Sequence, residues 1–293
     1  MTTTISRQAF GSDAVSVDLL FLHDPRARDP DRVGRKAATL ARLLASGFPV
    51  PEGFAIPVEA CARISKAASD PIPEGLRQAV ASGLERLGGG PVAVRSSAAA
   101  EDLEGASYAG QYESVLDVRG MDAVCRAITV CVASATSDRL HAYEAAHGSG
   151  DGTGMAVLVQ RMVPADSAGV AFTANPVTGD RSETLVSAVP GLGERLVAGL
   201  ATPQEWVVAD GTARCTEEAD GGITAPQALE VAALAERIEA QLGTPQDIEW
   251  AIAGGTVHLL QARPITVLPR PPVVDIPKHA TLLKDAVHYP EQF

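Results

Sequence analysis

The chain has 293 residues, enough for one large domain or two lobes with an ample core. Its 24 Lys and Arg against 36 Asp and Glu give a formal charge of −12, which argues against a nonspecific nucleic-acid binder while leaving room for a local basic pocket around phosphates. Hydrophobic residues make up 46% and charged residues 20%, an ordinary globular balance.

Cys61, Cys125, Cys131 and Cys215 form no CxxC pair and have no His cluster beside them, so neither a zinc site nor a disulfide framework is expected. They read as small buried hydrophobes in a reducing compartment. The first residues, MTTTISRQAFGSDAVSVD, lack a basic stretch followed by an apolar core. No apolar run approaches the roughly 20 residues that cross a bilayer. The expectation is a cytoplasmic protein with neither membrane nor nucleic acid among its partners.

In chain order, Gly34 to Leu44 predicts a helix with Leu40, Leu43, Leu44 and the alanines on its apolar stripe, closed by Gly47 and barred from continuing by Pro49 and Pro51. Gly53 to Ile56 reads as a strand. Pro73 to Leu87 reads as a helix with Leu76, Val80, Leu84 and Leu87 on one face. Pro91-Val92-Ala93-Val94-Arg95 is a buried-type strand ending in a charge. Residues 96–111, SSAAAEDLEGASYAGQ, are almost all small and read as a loop whose backbone N–H groups can approach a ligand closely. Ser114 to Val118 follows as a strand, then helices over 121–134 and 136–147, and a flexible turn at 147–154. Met155 to Gln160, Ala168 to Thr173, Glu183 to Val189 and Glu205 to Ala209 read as strands, and Pro226 to Leu242 as the best-patterned helix.

The last pair of strands carries the most chemistry. Asp247-Ile248-Glu249-Trp250 and Leu259 to Thr266 are joined by the Gly254-Gly255 turn. Side chains two apart on a strand share a face, which puts Asp247 with Glu249 and Gln261 with Arg263. If these strands pair antiparallel, a carboxylate, an amide oxygen and a guanidinium converge. Oxygen donors of that kind suit a divalent metal, and the arginine fork suits a polyphosphate. Taken alone, the hairpin fits a surface turn with scattered polar groups equally well. Strands and helices interleave without a regular βαβ repeat, which favours α+β lobes. LPRPPVVDIPK, with prolines at 269, 271, 272 and 277, reads as an extended linker. The division expected is 1–164, 165–268 and a proline-rich tail, 269–293.

Lys36, Arg95 and Gln160 stand at the ends of apolar elements. Each has a plain alternative: a solvated helix residue, a structural ion pair, a turn cap. Together with a small-residue loop and the carboxylate–amide pair, they are what a metal-bound triphosphate needs, since phosphoryl transfer asks mostly for positioning and electrostatics. No G-x-x-x-x-G-K-[ST] occurs, Gly191-Leu192-Gly193-Glu194 lacks the third glycine of a dinucleotide fingerprint, and kinase and nucleophile-elbow signatures are missing.

Five segments, VGRKAATLARLLASGFPVPEGFAI, PVAVRSSAAAEDLEGASYAGQYESVLDV, VLVQRMVPADSAGVAFTANPVTGD, GLGERLVAGLATPQEWVV and DIEWAIAGGTVHLLQARPIT, resemble in family order the ATP-grasp domain of phosphoenolpyruvate synthase, pyruvate phosphate dikinase and rifampin phosphotransferase. The resemblance spans about residues 33–268 and implies an ATP-grasp fold, α+β with two lobes clamping ATP. It implies that Lys36 and Arg95 hold phosphates, that Gly110 and Ser114 belong to the loop over them, and that Gln160 with Arg161-Met162-Val163 forms the adenine-side hinge. Glu194 matches an acidic position near the phosphates. Glu249 and Gln261 would bind Mg²⁺ with Asp247 nearby, and Arg263 would contact the phosphate chain. Three positions depart from the pattern: Arg35 for Gly, Ala99 for Thr, and Arg195 for an acid.

The family passes phosphate first to a histidine on a swivelling domain. His23, His141, His147, His258, His279 and His288 lie in no glycine-rich, TSHAA-like setting. The resemblance therefore implies a partner, either a phosphohistidine-bearing domain of a longer enzyme or a separate subunit as in phenylphosphate-synthase-type systems. A small-molecule acceptor (pyruvate, an antibiotic or an aromatic alcohol) would bind elsewhere. The competing expectation is a nucleotide-binding regulatory module without turnover.

Overall fold

The computed structural model describes residues 17–66, 72–98, 114–146, 154–193, 196 and 201–269, with side chains for all of these save 65–66 and 134–146. It is built on two antiparallel sheets. The first contains β1 (Leu20–Phe21), β2 (Gly53–Ile56), β3 (Val92–Ala98), β4 (Ser114–Val118) and β5 (Met155–Arg161), in the order β1-β2-β5-β3-β4. The second contains β6 (Ser167–Phe172), β7 (Thr184–Pro190), β8 (Gln204–Ala209), β9 (Thr212–Glu217), β10 (Gln246–Ala253) and β11 (Thr256–Pro264), in the order β11-β10-β6-β7-β8-β9. The α+β class expected from the interleaved pattern is what these sheets and their helices show.

One face of the first sheet is covered by α2 (Val58–Lys66), α3 (Glu74–Arg86) and α4 (Met121–Ala146), around a core that includes Phe54, Ile56, Val94, Ile128 and Val159. A second core is shared by both sheets. In it α1 (Pro30–Ala45) and α5 (Ala225–Leu242) pack with Leu20, Leu158, Trp206, Ile248, Trp250 and Leu259. Just beyond α1, the Pro49 carbonyl accepts a hydrogen bond from the Leu259 N–H at 2.9 Å, so the end of the first helix is stitched to β11.

Several elements differ from the sequence reading, each for a local reason. The helices expected at 121–134 and 136–147 are one continuous helix, α4, because Ala135 and its neighbours include no breaker. The strand read as ending at Arg95 runs on to Ala98, since Ser96, Ser97 and Ala98 are fully buried beside β5. Strand β9 and helix α2 were not foreseen. Strand β9, TARCTE, is mostly polar and exposed, and its alternation rests only on the small, half-buried Ala213 and Cys215.

Helix α1 is interrupted within its second turn. Gly34 adopts φ 73° and ψ 165°, a left-handed backbone that glycine tolerates, and a Cβ there would collide with the Ser97 carbonyl. The helix thus approaches β3 as closely as backbone can, and Lys36 follows directly after the point of contact.

Candidate functional site

The β10–β11 hairpin presents its polar residues in register. Asp247 faces Arg263 and Glu249 faces Gln261 as cross-strand partners. A register shift between Glu249 and Trp250 opposes Trp250 to Leu259 and leaves Leu260 as the extra residue of a β-bulge. That extra residue rephases β11. Val257 and Leu259 point into the shared core before it, and Ala262 does so after it, so Gln261 and Arg263 emerge on the opposite face. Without the bulge, strict alternation would place Gln261 and Arg263 on the same side as Leu259.

From the first sheet, Arg95 reaches across to this face. Its Nη2 donates to Glu249 Oε2 at 3.0 Å, and its Nη1 donates to Gln261 Oε1 at 3.2 Å and to the Leu260 carbonyl at 3.4 Å. One guanidinium therefore gathers the carboxylate, the amide and the carbonyl that the bulge turns outward. The Arg95 side chain is 8% exposed and that of Glu249 25%. Arg95 Nε is buried without a hydrogen-bond partner among the described residues, so a donor remains to be satisfied at the centre of the cluster.

Lys36 is also buried here and donates from Nζ to the Ser96 carbonyl at 3.0 Å. Burial acts to raise the Glu249 pKa, but the charges of Arg95, Lys36 and Arg263, with the Arg95 hydrogen bond, outweigh it and hold the carboxyl below its ordinary value. Glu249 is the anion about which three cations are arranged. Asp247, two residues before Glu249 on β10, is the buried partner of Arg263: its Oδ2 accepts from Nε at 2.7 Å and lies 2.6 Å from Nη2.

Ser114 opens β4 as the cross-strand partner of Arg95, exposed at the sheet edge. Gln160 sits at the end of β5, but its side chain turns inward and donates to the Pro51 carbonyl at 3.2 Å; what it offers outward is the chain that follows. That chain is anchored at both ends: Arg161 N–H donates to the Glu52 carbonyl, Met162 N–H to the Pro91 carbonyl, and Asp166 N–H to the Ile252 carbonyl. Gly110 and Glu194, with Ala99 and Arg195, lie outside the described residues, as does the tail from 270. Among the described residues no group of three or more His, Cys, Asp or Glu side chains is placed to hold a metal ion, and no helix is long and apolar enough to cross a membrane.

The family model described as "Pyruvate phosphate dikinase, AMP/ATP-binding domain" matches residues 65–221 and 210–282, three quarters of the chain. The chain belongs to that family. Within this ATP-binding domain, Arg95, Ser114, Gln160, Glu249, Gln261 and Arg263 fall inside the matched segments, and Lys36 precedes them. A rifampicin phosphotransferase from a Streptomyces species is 35% identical over 84% of this chain and 36% of its own length. A probable phosphoenolpyruvate synthase from Pyrococcus horikoshii is 39% identical over 60% of this chain and 26% of its own. A prodigiosin synthesizing transferase from Serratia marcescens is 34% identical over 85% of this chain and 33% of its own. The chain thus spans about a third of the length of the curated relatives it matches. The ADP complex of N5-carboxyaminoimidazole ribonucleotide synthetase aligns with 81% of this chain and 45% of its own at a TM-score of 0.43 and 13% identity, a likeness too remote to carry an argument.

Two contributions that the sequence left unnoticed come from backbone. The Ser96 carbonyl, which receives Lys36, was read as part of a loop. The signal available was the continuing run of small, burial-compatible residues after VAVR. The Leu260 carbonyl is exposed by a bulge that no residue in LLQARP announces.

Proposed function

We propose that this domain binds MgATP between the β3–α1 side and the β10–β11 hairpin, and uses it to phosphorylate a histidine on a partner domain or subunit, yielding AMP and phosphate. The observation that carries this reading is the single guanidinium of Arg95 bonded to Glu249, Gln261 and Leu260, which joins elements some 154 to 166 residues apart into one polar cluster. In it Lys36, Arg95 and Arg263 act as phosphate-binding cations, the loop holding Gly110 and Ser114 covers the phosphates, and Glu194 is an acidic position near them. The segment from Gln160 to Val163 lines the adenine. Residues 1–164 and 165–268 act as the two jaws, and 269–293 leads toward the partner.

The donor set fits Mg²⁺. Glu249 and Gln261 are one ionised carboxylate and one amide oxygen on facing strands, and both oxygens lie against the Arg95 guanidinium. Two hard oxygen ligands, with phosphate oxygens and water completing the shell, are the usual complement for this ion. Bound there, it would neutralise charge on the phosphate chain. Arg95, Lys36 and Arg263 would hold the phosphates in place, and the buried setting of Arg95 and Glu249 would strengthen each of those interactions. The acceptor of the phosphorylated histidine is a small molecule such as an aromatic alcohol, an antibiotic or pyruvate.

Titration calorimetry of the full chain with MgATP tests the reading. Binding is expected, and Glu249→Ala or Arg263→Ala is expected to abolish AMP formation when a histidine-bearing partner is supplied, with far-UV circular dichroism unchanged. Absence of MgATP binding by the native chain, or full turnover in either variant, overturns it. MgATP binding without AMP formation in the presence of the partner would mark a regulatory module.

A further inference from the structure

The kink at Gly34 divides α1, and the segment beyond it begins with Arg35, Lys36 and Ala37. Counted from Gly34, Ala37 is the third residue of that segment, whose N–H an N-cap side chain ordinarily satisfies. Gly34 has no side chain to do so. The oxygen comes from elsewhere: the Ser97 hydroxyl, on β3, accepts from the Ala37 N–H at 3.1 Å. The same hydroxyl donates to the Val33 carbonyl at 2.8 Å. Val33 and Ala37 are four apart, the spacing of a helical hydrogen bond, and Gly34 leaves helical geometry between them. Ser97 therefore bridges the interruption, donating to the turn before it and accepting from the turn after it.

Two further facts tie this bridge to Lys36. Ser97 is fully buried, as is its neighbour Ser96, whose carbonyl receives the Lys36 ammonium. And Gly34 approaches Ser97 so closely that any side chain at 34 would strike the Ser97 carbonyl. The strand that carries Arg95 thus holds the helix that carries Lys36 at a contact distance set by backbone, with one hydroxyl fixing the angle.

We propose that Ser97 is a positioning residue for Lys36: by capping the helical segment from the neighbouring strand, it aims the Lys36 ammonium into the cluster around Glu249. Its consequence for nucleotide binding rests on the functional reading above, but its consequence for Lys36 does not. A hydroxyl is needed because the site requires a donor and an acceptor at once, both inside a space with no access to water.

The test is the accessibility of the Lys36 amine, measured without nucleotide. The full chain is labelled at limiting acetic anhydride, and modification of Lys36 is read by mass spectrometry relative to Lys66, Lys278 and Lys284. In Ser97→Ala, Lys36 is expected to label about fivefold faster than in the native chain, the population change that loss of one cap hydrogen bond implies, and MgATP affinity is expected to fall by a similar factor. Native labelling and native affinity in a variant with unchanged circular dichroism overturns the proposal. Should Ser97→Ala fail to fold, Ser97→Cys keeps the side-chain shape with a much weaker hydrogen-bonding group, and native Lys36 labelling in that variant overturns the proposal equally. A native chain that binds no MgATP defeats the functional reading, and the labelling ratio still decides the role of Ser97.

Discussion

The two sides of the cluster are built by different means. On the hairpin side, Asp247, Glu249, Gln261 and Arg263 are neighbours through strand register, and every pair lies within 16 residues. On the β3–α1 side, Lys36 and the backbone it touches are 60 residues apart in the chain, and Arg95 finds its partners across 154 to 166. The hairpin needs only its own turn and bulge to assemble. The other side needs both sheets and the core between them. A site made this way is complete only when the whole domain has folded, and its most fragile points belong to the long-range side.

That contrast can be broken most directly at Arg95. Arg95→Ala removes the cation that joins the two sides and leaves Glu249 with its carboxylate three-quarters buried and its nearest partner gone. The expected loss is about 3 kcal/mol, the lower end for disrupting a buried pair, measured by urea unfolding. A loss below about 1 kcal/mol would mean that the two sides are held together without it.

Next in size is Gly34→Ala. The backbone is left-handed there and the added methyl meets the Ser97 carbonyl, so roughly 2–3 kcal/mol should be lost, with a lower melting temperature. An alanine variant as stable as the native chain would show that α1 can withdraw from β3 freely.

A local change on the hairpin should cost less. Asp247→Asn weakens both bonds to Arg263 but leaves the register intact, with an expected loss of about 1–2 kcal/mol. A larger loss than Arg95→Ala would reverse the ranking of the two sides.

The smallest effect is one of pH. The folded-state pKa of Glu249 lies below its ordinary value of 4.5, so its carboxylate contributes stability above that value and loses the contribution as pH falls through the lower folded pKa. The stability difference between the native chain and Glu249→Gln should therefore be constant from neutral pH down to about 5 and shrink below 4. A difference that grows on acidification would contradict the arrangement of cations around this group.

How much of this was visible beforehand follows the same division. Alternation in DIEW and QARP was enough to put the right residues on common faces, because the period of a strand is set by local backbone geometry. The glycine pair at 254–255 marked the turn, and both residues do adopt positive φ. Helix α5 was legible from its apolar stripe. By pattern alone, Arg95, Lys36 and Gln160 were charges or amides ending apolar elements, each with an ordinary alternative, and only the family resemblance gave them roles. In the case of Gln160 the structure shows that the side chain turns inward to Pro51.

By itself, then, the sequence determined the class of fold, the hairpin and the residue types that could meet there, since propensity, alternation and turn chemistry act over a few residues at a time. Tertiary structure alone decided that Arg95 closes on Glu249, Gln261 and Leu260, that Asp247 serves Arg263, and that Ser97 reaches into α1. Those contacts depend on where two sheets come to rest against a shared core, a balance of burial spread over the whole domain that no short stretch of the chain contains.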